Sequence, residues 1–490
     1  MRRSLTILLL LLGAIAVSAQ PLDPFQPANP IVMGRGGSFT ATASGYNSFF
    51  CNPAGFARDG ELTLTSANLW AFMDRDLVSL AQDFAGTGLS FLPQASSASI
   101  RAIDPAAFEG LEGYFTDLAD WAAGAEAAGA DLEAIIVAAT GDTDITITSE
   151  ADLAEIIAAA GTEDVIAFLE AVEQAATDAG YPLPFTVDDL EAAIASALPS
   201  GYLRIGGMVG LGYVGNGIGL GLFANVEGVV DGTNVLQATG MAYNTITFVG
   251  GLGLSFGNLH LGLAIRPTIF GYSEISAAPI LAGYLSGGSL DLTSVFANAV
   301  YFGSGLGVDV GALYELGPFS FGIAVKDLLG TQIAYRRTTF DEYYQAIIAA
   351  SLPLGNELTA AEEDAAWTIP MKVNVGAEFH PDLGVVSFLF DPSVSVDLLD
   401  LSLAIRTFQS GQQMTTDQIL SMLNFGGEMN LLRFLSIRGG YYGGYLSAGV
   451  GLDIFLVDIH AAIAGDFGRD AAGQWGFSNV GGSVEFAFRL

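Results

Sequence analysis

From Leu203 onward the chain is written in alternation. Leu203, Ile205, Val209 and Leu211 share one parity, while Arg204, Gly206 and Gly210 occupy the other. Ile218, Leu220, Leu222 and Val226 oppose Gly219, Gly221, Asn225 and Glu227. Ile246, Phe248, Leu252 and Leu254 oppose Thr245, Thr247, Gly251 and Gly253. After Gly257-Asn258 comes Leu259, Leu261, Leu263 and Ile265 against His260, Gly262, Ala264 and Arg266. A period of two places each set on its own face of a strand. Glycine weakens strand interiors, yet it recurs here on the polar parity, as a crowded barrel interior requires. The same pattern continues through Phe319–Lys326, Val373–Phe379, Leu446–Ile454 and Val457–Ile463 to the last residue.

These segments predict about fourteen antiparallel strands, starting near residues 61, 202, 217, 244, 259, 301, 318, 370, 385, 424, 433, 445, 456 and 476. Connections alternate in length. Short ones fall at 214–217, 257–258, 315–318, 381–384 and around 432 and 456. Long ones fall at 73–201, 229–243, 271–300, 328–369, 399–423 and 467–475. Short turns on one rim, long loops on the other and an even strand number describe a transmembrane β-barrel. The segment 385–407 leaves room for another strand pair, which would make sixteen.

Inward-facing charges are consistent with this reading. Arg204, Glu227, Arg266, Asp309, Lys326, Glu378, Arg438 and Asp453 mostly lie opposite the aliphatic parity. On the lipid face a charge would cost about 2–4 kcal/mol near the midplane. Replacing Leu261 by Arg is therefore expected to impair assembly, and serine at Gly262 to be milder. The luminal charges read as interior ion pairs or as ligand contacts. The final strand carries Val484, Phe486, Phe488 and Leu490 on one parity, with Ser483, Glu485, Ala487 and Arg489 on the other.

The first residues add a compartment. Met1-Arg2-Arg3, an apolar run from Leu5 to Val17 and the small residues before Gln20 make a secretory signal, with cleavage expected after Ala19. One cysteine among 490 residues, Cys51, excludes an intrachain disulfide framework. Of a formal net charge of −35, the stretch 102–200 supplies −21, with 21 acidic and no basic residues. It is alanine-rich and reads as helical over 131–140, 149–160, 163–176 and 187–198. Thr186 is a natural cap, and Leu153, Ile156, Ile157, Ile166 and Leu169 could form a small core. Such charge argues against nucleic acid as a partner. The three histidines are far apart, and no nucleophile elbow, phosphate loop or metal-ligand spacing occurs. No enzyme activity, cofactor or metal is expected.

Between the cleavage site and the first strand lie Met33-Gly34-Arg35-Gly36-Gly37-Ser38-Phe39 and Asn52-Pro53-Ala54-Gly55-Phe56. With the barrel that follows, these resemble the FadL-type outer-membrane transporter superfamily, including its PorV-like and spirochaete members. Phe434–Ile454 is similar to the spirochaete members. The final strand, ending on Phe486, Phe488 and Leu490, resembles the signal read by the barrel-assembly machinery. The resemblance implies a luminal plug over 20–58, with Gly34, Gly36, Gly37, Asn52, Pro53, Ala54 and Gly55 as its turning and gating positions. The barrel would then occupy 59–490, with 102–200 as an outer insertion. It further implies a monomer in outer-membrane lipid that takes up long-chain fatty acids or other hydrophobic compounds through a break in the wall. PorV-like relatives that serve secretion systems suggest a non-transporting scaffold instead. A diffusion porin is the third alternative, against which the long plug-like N-terminus stands.

Overall fold

The computed structural model describes residues 29–58, 60–75, 165–197, 201–232, 239–276, 299–349, 355–365, 368–409, 413–442, 444–469 and 475–490, residue 415 excepted, with a few positions between 77 and 135. The signal segment, most of the acidic insertion and the start of the plug, including 149–160, lie outside them.

Fifteen strands are present among the described residues. They are β1 (Glu61–Asp74), β2 (Leu203–Gly215), β3 (Ile218–Asp231), β4 (Thr239–Phe256), β5 (Leu259–Ser276), β6 (Ala299–Leu316), β7 (Phe319–Lys326) and β8 (Ile333–Thr339). The chain continues with β9 (Lys372–Phe379), β10 (Phe390–Leu398), β11 (Leu423–Leu431), β12 (Leu435–Tyr442), β13 (Tyr445–Ile454), β14 (Val457–Arg469) and β15 (Trp475–Arg489). All pairings are antiparallel. Fourteen strands form a ring that β15 closes against β1 and β5 closes against β6. The remaining strand, β8, has β6 as its one partner strand among the described residues. No sixteenth strand arises near 385–407. Residues Gly384–Phe388 form a 3-10 turn, so β10 starts later than expected, and Leu401–Gln409 is helical.

The alternation places side chains as the pattern requires. Leu222 pairs with Phe248, and Leu252 with Leu263, on the outer face. Ile205, Val209, Leu220, Leu252, Leu261, Ile323, Val450 and Phe486 are exposed to the outside, while Arg204, Glu227, Arg266, Asp309 and Lys326 are buried within. An apolar exterior around a charged interior inverts the arrangement of a soluble protein and matches a bilayer solvent. Strands β4, β5 and β6 run 18 residues each, beyond the roughly 9–11 needed to cross. Their surplus projects on the long-loop side. There α4 (Phe340–Ile348) packs outside the wall, burying Val300 and Phe302 under Tyr343, whose hydroxyl donates to Asn244 Oδ1 at 2.6 Å.

Three more helices belong to this account. α1 (Pro30–Gly34) starts the plug. In the acidic insertion, α2 (Val165–Asp178) and α3 (Val187–Ala197) pack together through Val172, Ala176, Val187 and Leu190. Thr186 caps α3, its Oγ1 accepting from Asp189 N at 3.2 Å. The apolar side chains of 153, 156, 157, 166 and 169 lie outside the described side chains.

The short-turn rim is uneven. Asn216-Gly217, Gly257 and Gly317 occupy left-handed turn positions, as two-residue hairpins demand. On the other half, Leu432, Arg433 and Phe455 hold φ between 54° and 63°. For residues with a Cβ that region costs roughly 1–2 kcal/mol each.

Candidate functional site: a plugged lumen beneath an interrupted wall

The described plug residues fold inside the ring, and each of their turns has a local cause. Asn29 caps α1, its side chain accepting from Ile31 N at 2.9 Å and Val32 N at 3.3 Å. Gly36 and Gly37 then reverse the chain at φ 63° and 70°. A Cβ at Gly36 would come within 2.2 Å of Phe425 O, so only glycine fits against that wall. Phe39 N and Thr40 N donate to Asp397 Oδ2 at 2.8 and 2.7 Å. Asn52 Oδ1 accepts from Ala54 N at 3.0 Å, capping the 3-10 turn Pro53–Ala57. Its Nδ2 donates to Thr40 O at 2.9 Å and to Ala312 O and Ile323 O on the wall, both at 3.3 Å. Gly55 touches Ser48 and Ala43 within the plug, and Gly34 abuts Gly449 of β13.

Strong attachments complete the seal. Arg35 pairs with Glu378 at 3.3 Å and Glu428 at 3.4 Å. Arg58 pairs with Glu315 at 2.6 Å. Lys326 Nζ donates to Phe50 O. Tyr46, Phe49, Phe50 and Phe56 fill the space toward Phe223 and Trp70. The wall glycines are the surface on which this segment rests. A Cβ at Gly262 would lie 2.1 Å from Pro53 C, against plug backbone that cannot yield cheaply. Serine there, milder for assembly than arginine at Leu261, is expected to press on the plug at Pro53. Cys51 faces a pocket of about 50 Å³ beside Thr40, Asn374 and Asp397. Burial pushes its thiol up to about 12.

The luminal charges resolve into several clusters. Arg204 meets Glu227 at 2.7 Å, and Trp70 Nε1 donates to the same carboxylate at 3.0 Å. Arg438 meets Glu428 at 3.1 Å and His460 Nδ1 at 3.3 Å. His460 Nε2 faces Asp453 at 3.3 Å. Asp453, Asp458 and His460 have the spacing of a cation site. The chemistry does not fit: Arg438 can only donate, so His460 Nδ1 is the acceptor and Nε2 carries the proton, leaving no free ring nitrogen for a metal. Arg489 already holds Asp458 at 3.0 Å.

One cluster has a different role. Arg266 binds Asp309 at 2.8 Å and Asp327 at 2.9 Å, all three buried. Asp327 sits where β7 ends. The next strand, β8, continues along the same neighbour, since Val310 of β6 pairs with Val325 and Gly305 with Ile333. Residues 327–332 are thus an interruption in a single wall strand. Asp327 (φ 48°), Leu329 (φ 69°) and Gly330 (φ 79°) take left-handed conformations. The break is pinned by Asp327 N to Asp309 Oδ1 at 2.9 Å, Thr331 Oγ1 to Asp327 Oδ1 at 2.5 Å and Leu328 N to Val308 O at 2.7 Å. Leu329 projects outward, 90% exposed.

Beyond the break the wall is thin. β9 begins at Lys372, opposite Lys326. Among the described residues, the edge of β8 away from β6 has only isolated bridges, and the break itself only Thr331 to Ile369. α5 (Leu401–Gln409) stands above β9, Ser402 Oγ donating to Met371 O at 2.7 Å. Inside this level lies an aromatic cluster from four strands: Tyr243, Phe270, Tyr272, Tyr301 and Tyr335, with Met241, Ile333 and Ile369. Tyr272 stacks on Tyr301 at 5.1 Å and meets Tyr335 edge-on at 5.4 Å. The Tyr335 hydroxyl is buried without a partner.

Sequence reading did not name the break and gave no role to Arg35, Arg58, Asp327, Asp397 or Glu428. Asp397 was findable, since it shares the inward parity of Ser393 and Ser395. The break carries no signal in alternation, because β7 and β8 are each regular.

The fold and its lumen define a closed fourteen-stranded membrane barrel with an internal plug. No known protein family matches the chain, and no curated protein does. Among solved structures it is similar to the toluene transporter TodX of Pseudomonas putida, at 8% identity and a TM-score of 0.41 over 96% of this chain and 99% of that one. CymD, a monoaromatic hydrocarbon channel, gives 10% identity and a TM-score of 0.33 over 61% and 91%. The translocator domain of the autotransporter NalP from Neisseria meningitidis gives 11% and 0.28 over 59% and 82%. At such scores these are likenesses of barrel to barrel and carry no argument about function.

Proposed function

We propose that this chain is an outer-membrane uptake barrel for long-chain fatty acids or other hydrophobic compounds, with 20–58 as its gate. The observation that carries the reading is the interrupted wall at 327–332, lined inside by aromatic rings and lying above a sealed plug. The plug rings Tyr46, Phe49, Phe50 and Phe56 pack against Phe223 of the wall, which speaks against a straight path down the lumen. On this reading a hydrophobic solute lodges among Tyr243, Phe270, Tyr272 and Tyr335, whose rings pack together inside the break. The lowest-energy exit from there is sideways into lipid, past Leu328 and Leu329, without crossing the charged interior. The motif resemblance of 33–56 to the FadL-type superfamily points the same way. A diffusion porin is disfavoured by the ion-paired plug.

The test is saturable uptake of a radiolabelled long-chain fatty acid by cells carrying the barrel. Tyr272→Ala with Tyr335→Ala is expected to lower uptake several-fold while ion conductance stays at baseline. Unchanged uptake would remove the aromatic path. Uptake no different from cells lacking the barrel, with a protein partner co-purifying stoichiometrically, would favour the scaffold reading.

A further inference from the structure

The rim that bears the short turns divides into two unlike arcs. On one, Asn216-Gly217, Gly257-Asn258 and Gly317-Pro318 are small or polar. On the other, three successive turns carry bulky apolar tips. Val385 is 94% exposed and Phe455 is 101% exposed, with Phe388, Leu432 and Leu456 around them. These turns are contiguous: Leu432 N donates to Leu389 O at 3.4 Å, and Asp453 N to Phe434 O at 2.8 Å. Two of them place Leu432, Arg433 and Phe455 in the left-handed region that the opposite arc reserves for asparagine and glycine. Side chains kept in strained positions, pointing away from the protein, are a feature to be explained by what they meet.

The apolar arc is continuous with the lipid-facing wall below it, through Phe390, Val394, Ile437, Val450 and Ile454. Arg433 stands in its middle, its guanidinium 5.8 Å from the Phe388 ring centroid. Among the described residues no carboxylate pairs with it, in a chain of 52 acidic and 17 basic residues. A cation held on an aromatic face amid apolar tips matches the boundary between acyl chains and phosphate headgroups. The opposite arc has exposed Phe256 and Leu316 beside its turns, but asparagine, glycine and proline at the tips themselves.

We infer that the rim formed by 383–390, 432–434 and 455–456 is inserted into the adjacent leaflet of the bilayer, and that Arg433 there binds the phosphate of an anionic phospholipid. The barrel is therefore seated deeper on its β9–β14 side than on its β1–β6 side. This inference does not depend on what the barrel transports.

The full-length protein carrying Cys51→Ala is reconstituted in vesicles of phosphatidylethanolamine and phosphatidylglycerol. Val385→Cys, Phe455→Cys and Asn216→Cys are each labelled with a polarity-sensitive fluorophore, and quenching by brominated lipid is read. Labels at 385 and 455 are expected to emit to the blue and to quench at least twofold more than the label at 216. Three equally water-exposed labels would overturn the insertion and leave the arc as a surface for a soluble protein. For the headgroup, native mass spectrometry counts retained phosphatidylglycerol. Arg433→Gln is expected to lose a bound lipid that Arg433→Lys keeps, and added inorganic phosphate should not displace it. Equal retention in Arg433→Gln, or displacement by inorganic phosphate, would overturn the lipid site.

Discussion

The two halves of the lumen are held by different forces. Toward the short-turn rim, the plug is fixed by directed contacts: Arg35 between Glu378 and Glu428, Arg58 on Glu315, and Asp397 accepting two plug amides. Toward the long loops, a cluster of rings and aliphatics lines the lumen beside the buried Arg204–Glu227 pair. Directed contacts have one optimum and are costly to leave half-made. Aromatic surface adapts to whatever apolar shape meets it. On the proposed reading, the lower half stays shut in one arrangement and the upper half adapts to an apolar guest. The buried triad Arg266–Asp309–Asp327 stands at the boundary and fixes the break.

Removing the plug is the severest test of this division. Deletion of 22–50 is expected to open the lower half, raising single-channel conductance from a closed baseline and abolishing saturable uptake. A conductance unchanged by the deletion would place the seal elsewhere. Next in size, Arg266→Met strands two buried carboxylates and should cost about 3–5 kcal/mol, read as a lower temperature of heat-modifiable unfolding on gels. If the halves are independent, its uptake falls while the plug stays seated; joint failure would merge them. Leu261→Arg, on the lipid face, is expected to cost about 2–4 kcal/mol and to reduce assembled barrel. Gly262→Ser, one residue away, should instead assemble and loosen the plug at Pro53, so that conductance rises. The smallest effect is chemical. Cys51, its thiol pushed up to about 12 by burial, should resist maleimide in the intact protein and react once Gly262→Ser or Arg35→Ala loosens the plug. Rapid labelling of the unaltered protein would contradict a seated plug.

Much of the barrel was legible because bilayer and lumen impose opposite demands on successive residues. Leu259 to Arg266 declares both faces within eight positions. The pairing of Arg204 with Glu227 was half legible: both were expected inward, but their meeting depends on the register of β2 against β3, which alternation leaves free. The plug contact at Gly262 was hidden for a related reason. Its inward parity was plain, but its neighbour is Pro53, more than two hundred residues earlier, and no local pattern reports what fills a lumen. The break escaped altogether, since it arises from an offset between β7 and β8 along β6 and not from any irregular residue in either strand.

The seam between β1 and β15 has a consequence for the order of events in assembly. Arg489, the penultimate residue, lies between Glu61 at 3.3 Å, Asp458 at 3.0 Å and Glu485 at 2.5 Å. Glu485 is wholly buried. Until the last strand docks, Glu61 at the start of the first strand and Asp458 near the end of the chain have no counter-charge. Closure of the ring and neutralisation of its interior are therefore one event. The joint between the first and last strands is thus tied by charge as well as by its backbone ladder.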